Sequence, residues 1–321
     1  HNITAGSVQT VLAWNNQSST QTPDIGLGNY IGTTTGTVGN TDWTFTGNNG
    51  VSLGTTSWKF QVLVNAINPA LTINAGSGAV SIGGTTNGLK SLTVNSNAAT
   101  STISGVVSNA SAGQITTLTK QGTGALVLTG ANTYTGATTI SAGDLIIRNN
   151  APSSSSSSFD GPGTLTIEPS STSFTSAFST TGWTLNANLG GLTIGKDGNT
   201  QTITVDTATS IAGPITIYGG AIGINAALTA TGTNTITLKG SGNVTDGTSG
   251  YLVASNLLLL GGNVTLDNKT NNAIGTLAAS GVSGLTYLDK DALTIGTVGT
   301  TDGVSATGVI SIGTNTGDLT I

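Results

Sequence analysis

The chain has 321 residues, only 7% of them charged, with 48 Gly, no Cys, one His and a net charge of −5. Its eight basic residues stand singly. No stripe of them can neutralise a phosphate backbone, which excludes nucleic acid as a partner and disfavours anionic membrane surfaces. Without a His/Cys set there is no zinc site to assemble.

Ordinary soluble domains carry roughly 25% charged residues, so this surface must be built from Thr, Ser and Asn. Mean hydropathy is +0.16, and Val, Ile and Leu recur at two-residue spacing. Both point to an ordered chain, because disorder goes with low hydropathy and high charge. No window of a dozen residues keeps helical apolar spacing, since Gly, Thr and Asn interrupt each one. No apolar run approaches the roughly 18 residues of a membrane-spanning helix.

The first 60 residues hold six aromatics: Trp14, Tyr30, Trp43, Phe45, Trp58 and Phe60. Trp43-Thr44-Phe45 and Trp58-Lys59-Phe60 alternate as strands around Gly47-Asn48-Asn49-Gly50. Residues 1–65 read as an aromatic cap or junction, because an open stack of strands exposes edges that need covering. A wider first coil filled by these rings fits the residues equally well. These six are the candidate assembly or binding surface.

From residue 66 to 148 the text becomes a solenoid. Leu-Thr-Ile occurs at Leu71–Ile73, Leu165–Ile167, Leu192–Ile194, Leu293–Ile295 and Leu319–Ile321. Two of the intervals lie near a period of about 26 residues, within the range of repeat folds. The near-copies Leu92-Thr93-Val94 and Ile215-Thr216-Ile217 follow the same rule, outer pair inward and Thr outward. The expected architecture is all-β: a parallel β-helix, or β-solenoid, forming a single elongated rod. It should hold about 12–16 coils of about 20–26 residues, some 60–75 Å at the usual strand spacing. Parallel stacking puts like on like: aliphatic columns inside, Asn ladders at turns, Thr rows outside. Charge would stack unfavourably in such rows.

Within this stretch, Leu118 to Ile147 reads LTKQGTGALVLTGANTYTGATTISAGDLII, strand-sized apolar runs between Gly-Thr, Gly-Ala-Asn and Ala-Gly turns. Its ionisable residues, Lys120, Tyr134 and Asp144, are too far apart to read as a motif. The order of Gly, Asn-Thr-Tyr-Thr-Gly and Ala-Gly resembles the short repeat of bacterial autotransporter passenger domains. That resemblance implies a secreted or surface-displayed right-handed β-helix, carried out through an outer-membrane translocator, and it implies no reaction. The absence of Cys suits a chain threaded unfolded through a pore.

Residues 149–183 read as a Ser/Pro-rich loop excursion. Pro152, Ser153–Ser158, Pro162 and Pro169 punctuate it, and Phe174, Phe178 and Trp183 are placed to dock it. From 184 to 321 the solenoid resumes in a second style, as in LLLLGGNVTLD at Leu257–Asp267 and ISIGTNTGDLTI at Ile310–Ile321. From about Gly191 this part resembles the β-helical arrays of filamentous-haemagglutinin-like exoproteins of two-partner secretion systems, without a secretion-domain motif. Leu257–Leu260 reads as a buried strand. The chain opens on His1 and closes on a strand-like Leu-Thr-Ile, so a processed piece of a longer polypeptide is expected.

Catalytic residues are scarce: one His (His1, at a terminus), one Glu (Glu168) and one Arg (Arg148). Acid–base sites on β-helices need converging carboxylates. The nearest cluster is Asp289-Lys290-Asp291, where alternation puts the two Asp on one face, and a solvated turn between Tyr287 and Leu293 accounts for it. Glu168 reads as an exposed boundary residue. Gly190–Asp197 meets the calcium β-roll pattern only once, too little for a shell of six or more oxygens. Asp197-Gly198 and Asp246-Gly247 are turn dipeptides. The Asn-x-Ser/Thr triplets at Asn2, Asn16, Asn109, Asn243, Asn263 and Asn268 are expected by composition alone.

The reading is a non-enzymatic adhesin or matrix scaffold at the bacterial cell surface. It needs no catalytic residue, metal or cofactor. Its partners are surface glycans of host or neighbouring cells, or copies of itself, gripped by many weak contacts along Thr/Asn/Ser faces. A filament subunit joined through solenoid ends or a donated strand is the alternative. A carbohydrate-active β-helix enzyme comes third. Ice binding is disfavoured by the irregular Thr spacing at Thr33-Thr34-Thr35-Gly36-Thr37.

Overall fold

The structure is a computed structural model. It describes the backbone of residues 25–26, 33–37, 40–46 and 51–53, and residues 70–321 apart from 85, 87–88, 110–115, 153–157 and 269. Every regular element among these is a strand. The chain winds through about 11 turns as a parallel β-solenoid, against the 12–16 expected from the sequence, and its coil steps vary, with 20 residues from Leu118 to Thr138 and 27 from Leu165 to Leu192. It divides into two compact units, His1–Ile147 with Ser153–Gly163, and Arg148–Pro152 with Thr164–Ile321.

In the first unit, Asn40–Thr46, Ala70–Gly76, Ser91–Ser96, Thr117–Gln121, Thr138–Ile140 and Phe159–Asp160 stack as one parallel sheet. A second parallel sheet runs through Val51–Leu53, Val80–Ile82, Thr100–Ile103, Ala125–Leu128 and Asp144–Arg148. Antiparallel strands edge both stacks: Thr33–Thr37 lies on Asn40–Thr46, and Ile25–Gly26 on Val51–Leu53.

The register is like on like. Leu71, Leu92 and Leu118 are successive partners, as are Thr72, Thr93, Thr119 and Thr139. The leucines are at most 1% exposed. Burying each contributes about 2 kcal/mol relative to leaving it in water, while the threonines face out. Alternation in φ/ψ-extended backbone makes this automatic once the register is set, and a one-residue slip would turn every leucine outward.

In the second unit one ladder runs from Leu165-Thr166-Ile167 through Leu192-Thr193-Ile194, Ile215-Thr216-Ile217, Ile236-Thr237-Leu238 and Leu257-Leu258-Leu259 to Leu277-Ala278-Ala279. A further sheet stacks Phe178–Ser179, Ile203–Val205, Ile222–Ile224, Asn243–Asp246, Asn263–Leu266, Gly284–Asp289 and Ile310–Thr314. Leu293-Thr294 pairs with Leu319-Thr320, so both intervals near 26 residues in the sequence are true coil steps.

Earlier coils make a corner with two strands, Ala227–Ala230 and Thr235–Gly240, separated by a turn at Gly232 with φ +72°. The next coil replaces both with one ten-residue strand, Tyr251–Leu260, paired along both halves. Its burial alternates except at Ser255 and Asn256, two successive outward residues that mark the bend. Leu257–Leu260 is therefore not wholly buried as expected: Leu257 and Leu259 point inward, Leu258 and Leu260 lie half-exposed on the outer side.

Residues 149–183 contain the strands Phe159–Asp160, Thr164–Glu168 and Phe178–Ser179. Phe174, Phe178 and Trp183 are buried together, with ring centroids 5.6 Å apart in each adjacent pair.

Candidate functional site

The residues from Thr116 to Ile147 hold their coil by polar groups turned inward or across. Tyr134 is 1% exposed and its hydroxyl meets Thr138 Oγ1 at 2.8 Å; burial pushes the phenol up to about 12. Asn132 Oδ1 accepts the Val107 N–H of the preceding coil at 2.9 Å. Asn109 Oδ1 accepts N–H groups from Thr116 and Thr135, and its amide donates to Thr135 Oγ1. Lys120 stands in an interior column between Val94 and Ile140. Its ammonium donates to the carbonyls of Gln121, Gly122 and Ala142 at 2.9, 2.8 and 3.0 Å. Burial pulls it below the ordinary lysine range, and the nearby Asp144 charge opposes that pull. At Gly124 any Cβ would collide with the Ala98 carbonyl oxygen one coil back. The glycine spacing of the segment is thus set by coil-to-coil contact.

Outside this interior, the face of the first unit is short and polar. Three rows cross the coils: Ala70, Ser91 and Thr117; Thr72, Thr93, Thr119 and Thr139; Asn74, Asn95 and Gln121. Asn95 donates its amide to Asn74 Oδ1 at 3.2 Å, a rung of an amide ladder. None of these side chains is charged.

Comparison with protein families matches residues 118–147 to the passenger-associated transport repeat. The chain carries a passenger repeat. No curated protein and no solved structure matches the chain. The passenger repeat is typical of autotransporter passenger domains, and it suggests a secreted or surface location. Its Asn-Thr-Tyr-Thr-Gly wording is the part that, in the geometry above, ties this coil to the preceding one through Asn132 and Thr135. Among the described residues no helix is long and apolar enough to cross a membrane.

Of the six aromatics proposed from sequence, Trp14, Tyr30, Trp58 and Phe60 lie outside the described residues. Trp43 and Phe45 fall on Asn40–Thr46, where the backbone pairs them with Leu71 and Ile73. His1 also lies outside the described residues.

The acidic cluster differs from expectation. Asp289 is not a solvated turn residue: it is fully buried, the last inward residue of Gly284–Asp289 after Leu285 and Tyr287. Its Oδ2 accepts from Tyr287 Oη at 2.6 Å and Ile274 N–H at 2.9 Å, and its Oδ1 from Asp291 N–H at 2.9 Å. Asp291 is exposed, so the two carboxylates do not share a face. The strand ends at Asp289 and its alternation ends with it. Burial holds the Asp289 carboxyl above the usual range despite these three bonds. Alongside, buried Asn272 takes the Leu252 N–H on Oδ1 at 2.8 Å and donates to Asp246 Oδ2 at 3.2 Å. Asp246 also accepts the N–H groups of Asp267 and Asn268, so it buttresses the next coil rather than merely making a turn. Burial raises its carboxyl too, against those bonds.

Glu168 is half-buried rather than exposed, and its Oε1 takes the Arg148 Nε at 2.5 Å. Asp206, unremarked in the sequence, gathers Ser179 Oγ at 2.6 Å, Thr204 Oγ1 at 2.5 Å and Asn225 Nδ2 at 2.6 Å. Burial pushes its carboxyl up, but those bonds outweigh burial and leave it below the usual range. Sequence reasoning passed over Lys120 and Asp289 as interior residues, although counting by twos from Leu118 and Leu285 places each of them inward.

Proposed function

We propose that the chain is a non-enzymatic passenger segment, displayed outside a bacterial cell after export through an outer-membrane translocator, that acts as an adhesin or matrix scaffold by binding surface glycans. The observation that supports this reading is the uncharged hydroxyl and amide lattice on the coils that carry the passenger repeat: the row Thr72–Thr93–Thr119–Thr139 beside Asn74–Asn95–Gln121. Stacked coils repeat the same donors and acceptors at about 4.8 Å. A polymeric ligand can then be held by many weak contacts, with strength from multivalency. The carboxylates with raised pKa, Asp246 and Asp289, are engaged with neighbouring coils, which supports a structural use for them.

The test displays the chain on a non-adherent bacterial strain and counts retention on glycan-bearing cells before and after periodate treatment of those cells. Retention that periodate abolishes, and that Thr93→Glu with Thr119→Glu reduces severalfold, supports the reading. Display without retention on any glycan-bearing surface contradicts it.

A further inference from the structure

In the second unit, a cleft of about 240 Å³ opens beside Asp197, Thr200, Tyr218, Lys239 and Ser241. Three successive coils build it. Tyr218 on Ile215–Gly219 is in register with Lys239 on Thr235–Gly240. Asp197 comes from the coil before Tyr218, and both its oxygens meet the Lys239 ammonium, at 2.7 and 2.8 Å. This ion pair reaches across 42 residues of sequence and so spans the coil that carries the tyrosine. The position matching Tyr218 on the earlier coil is Gly195, next to Ile194, the partner of Ile217; no side chain approaches the tyrosine from there.

The groups around the opening retain bonding capacity. The Tyr218 and Ser241 hydroxyls pair with no group among the described residues. Among the described residues Lys239 uses its ammonium on Asp197 alone, with donors to spare, and the exposed Asp197 carboxylate keeps lone pairs free. The Lys239 bond holds that carboxyl below the usual range, so it is an acceptor at neutral pH. An aromatic ring, an ion pair with no net charge and two free hydroxyls around one small cleft form a recognisable set. A pyranose ring has an apolar C–H face for the aromatic ring and hydroxyls for charge-assisted bonds. A charged sugar would meet one partner of the wrong sign.

We propose that this cleft binds a single pyranose residue of a neutral glycan, with Tyr218 stacking on the ring and Lys239 and Asp197 bonding its hydroxyls. The proposal rests on the glycan-binding reading above and gives it one defined subsite among the repeated weak contacts.

The experiment is titration calorimetry of the full 321-residue chain with neutral oligosaccharides ending in glucose, galactose, mannose or N-acetylhexosamine, and with a uronate-containing oligosaccharide as the acidic arm. Tyr218→Ala, Tyr218→Phe and Ser241→Trp are measured beside the parent, with urea midpoints as a folding control. The expected result is binding of a neutral oligosaccharide that falls at least tenfold in Tyr218→Ala and in Ser241→Trp, which fills the cleft, and stays within threefold in Tyr218→Phe. Parent binding that survives within twofold in both Tyr218→Ala and Ser241→Trp overturns the subsite and leaves the glycan reading standing. Preference for the acidic oligosaccharide overturns the neutral assignment. A parent that binds none of these sugars overturns the subsite, and if display on cells also gives no retention the glycan reading falls with it.

Discussion

The Lys120 ammonium donates to the Ala142 carbonyl of the following coil at 3.0 Å. With the Gln121 and Gly122 carbonyls of its own turn, this uses all three of its donors. A lysine can therefore occupy an aliphatic column, because each of its protons replaces a water with a backbone oxygen that would otherwise be left unpaired. Lys120→Met keeps most of the volume and strands those oxygens. It should lower stability by about 1–3 kcal/mol, read as a fall in the urea midpoint at unchanged slope. Equal stability of the two proteins would mean that the carbonyls are solvated instead.

Gly124 has no room for a side chain against Ala98. Gly124→Ala should cost about 1–3 kcal/mol through forced separation of two coils. By contrast, Gly182→Ala, where φ is +80° and nothing lies within 4 Å, should cost only the left-handed backbone strain, about 1 kcal/mol. Thermal melts of the two variants check the ranking.

Acid titration separates two kinds of carboxyl. Asp289 and Asp246 have folded pKa values raised by burial. The folded state therefore holds their protons where the unfolded state has released them. Their contribution to stability is greatest below the unfolded pKa and is lost as pH rises through the folded value. Asp206 and Asp197 are lowered and act the opposite way, supporting the fold above the unfolded pKa and losing that support as pH falls through the folded value. Asp289→Asn leaves one of its three donors without an acceptor, a loss of about 1–3 kcal/mol. The stability gap between parent and variant should widen as pH falls from 7 toward 4. A gap that narrows over that range would reverse the assignment.

Charge in the outer rows should be additive in sequence terms and non-additive in space. Thr93 and Thr119 are direct partners, so Thr93→Asp with Thr119→Asp places two like charges at strand spacing. The double variant should be less stable than the sum of the singles by about 1 kcal/mol at low salt, shrinking as salt is added. Thr72→Asp with Thr119→Asp, two coils apart, should show a smaller excess.

Much of this fold is legible in the chain because columns need like residues. Leu165-Thr166-Ile167, Leu192-Thr193-Ile194 and Ile215-Thr216-Ile217 are written alike and are stacked in register. Coil number was less legible, since no fixed period exists: corners gain turns in one coil and lose them in the next, as Tyr251–Leu260 does. Polar residues inside were missed for a different reason. Whether Lys120 or Asp289 points in follows from alternation, but whether it can stay there depends on carbonyls and N–H groups supplied by another coil, such as Ala142 and Ile274. The cleft at Tyr218 was equally hidden, since it draws Asp197, Tyr218 and Lys239 from three coils.

The most direct test is of the register itself. The chain has no cysteine, so pairs can be introduced without background and nitroxide-labelled. Continuous-wave spin resonance of a Thr93→Cys, Thr119→Cys pair should show strong dipolar broadening. The offset pair Thr93→Cys, Gln121→Cys should broaden less, and Thr72→Cys, Thr119→Cys less still. Broadening that is absent in the first pair, or stronger in the offset pair, would mean that the coils do not lie like on like, and the account of both interior and outer rows would fail.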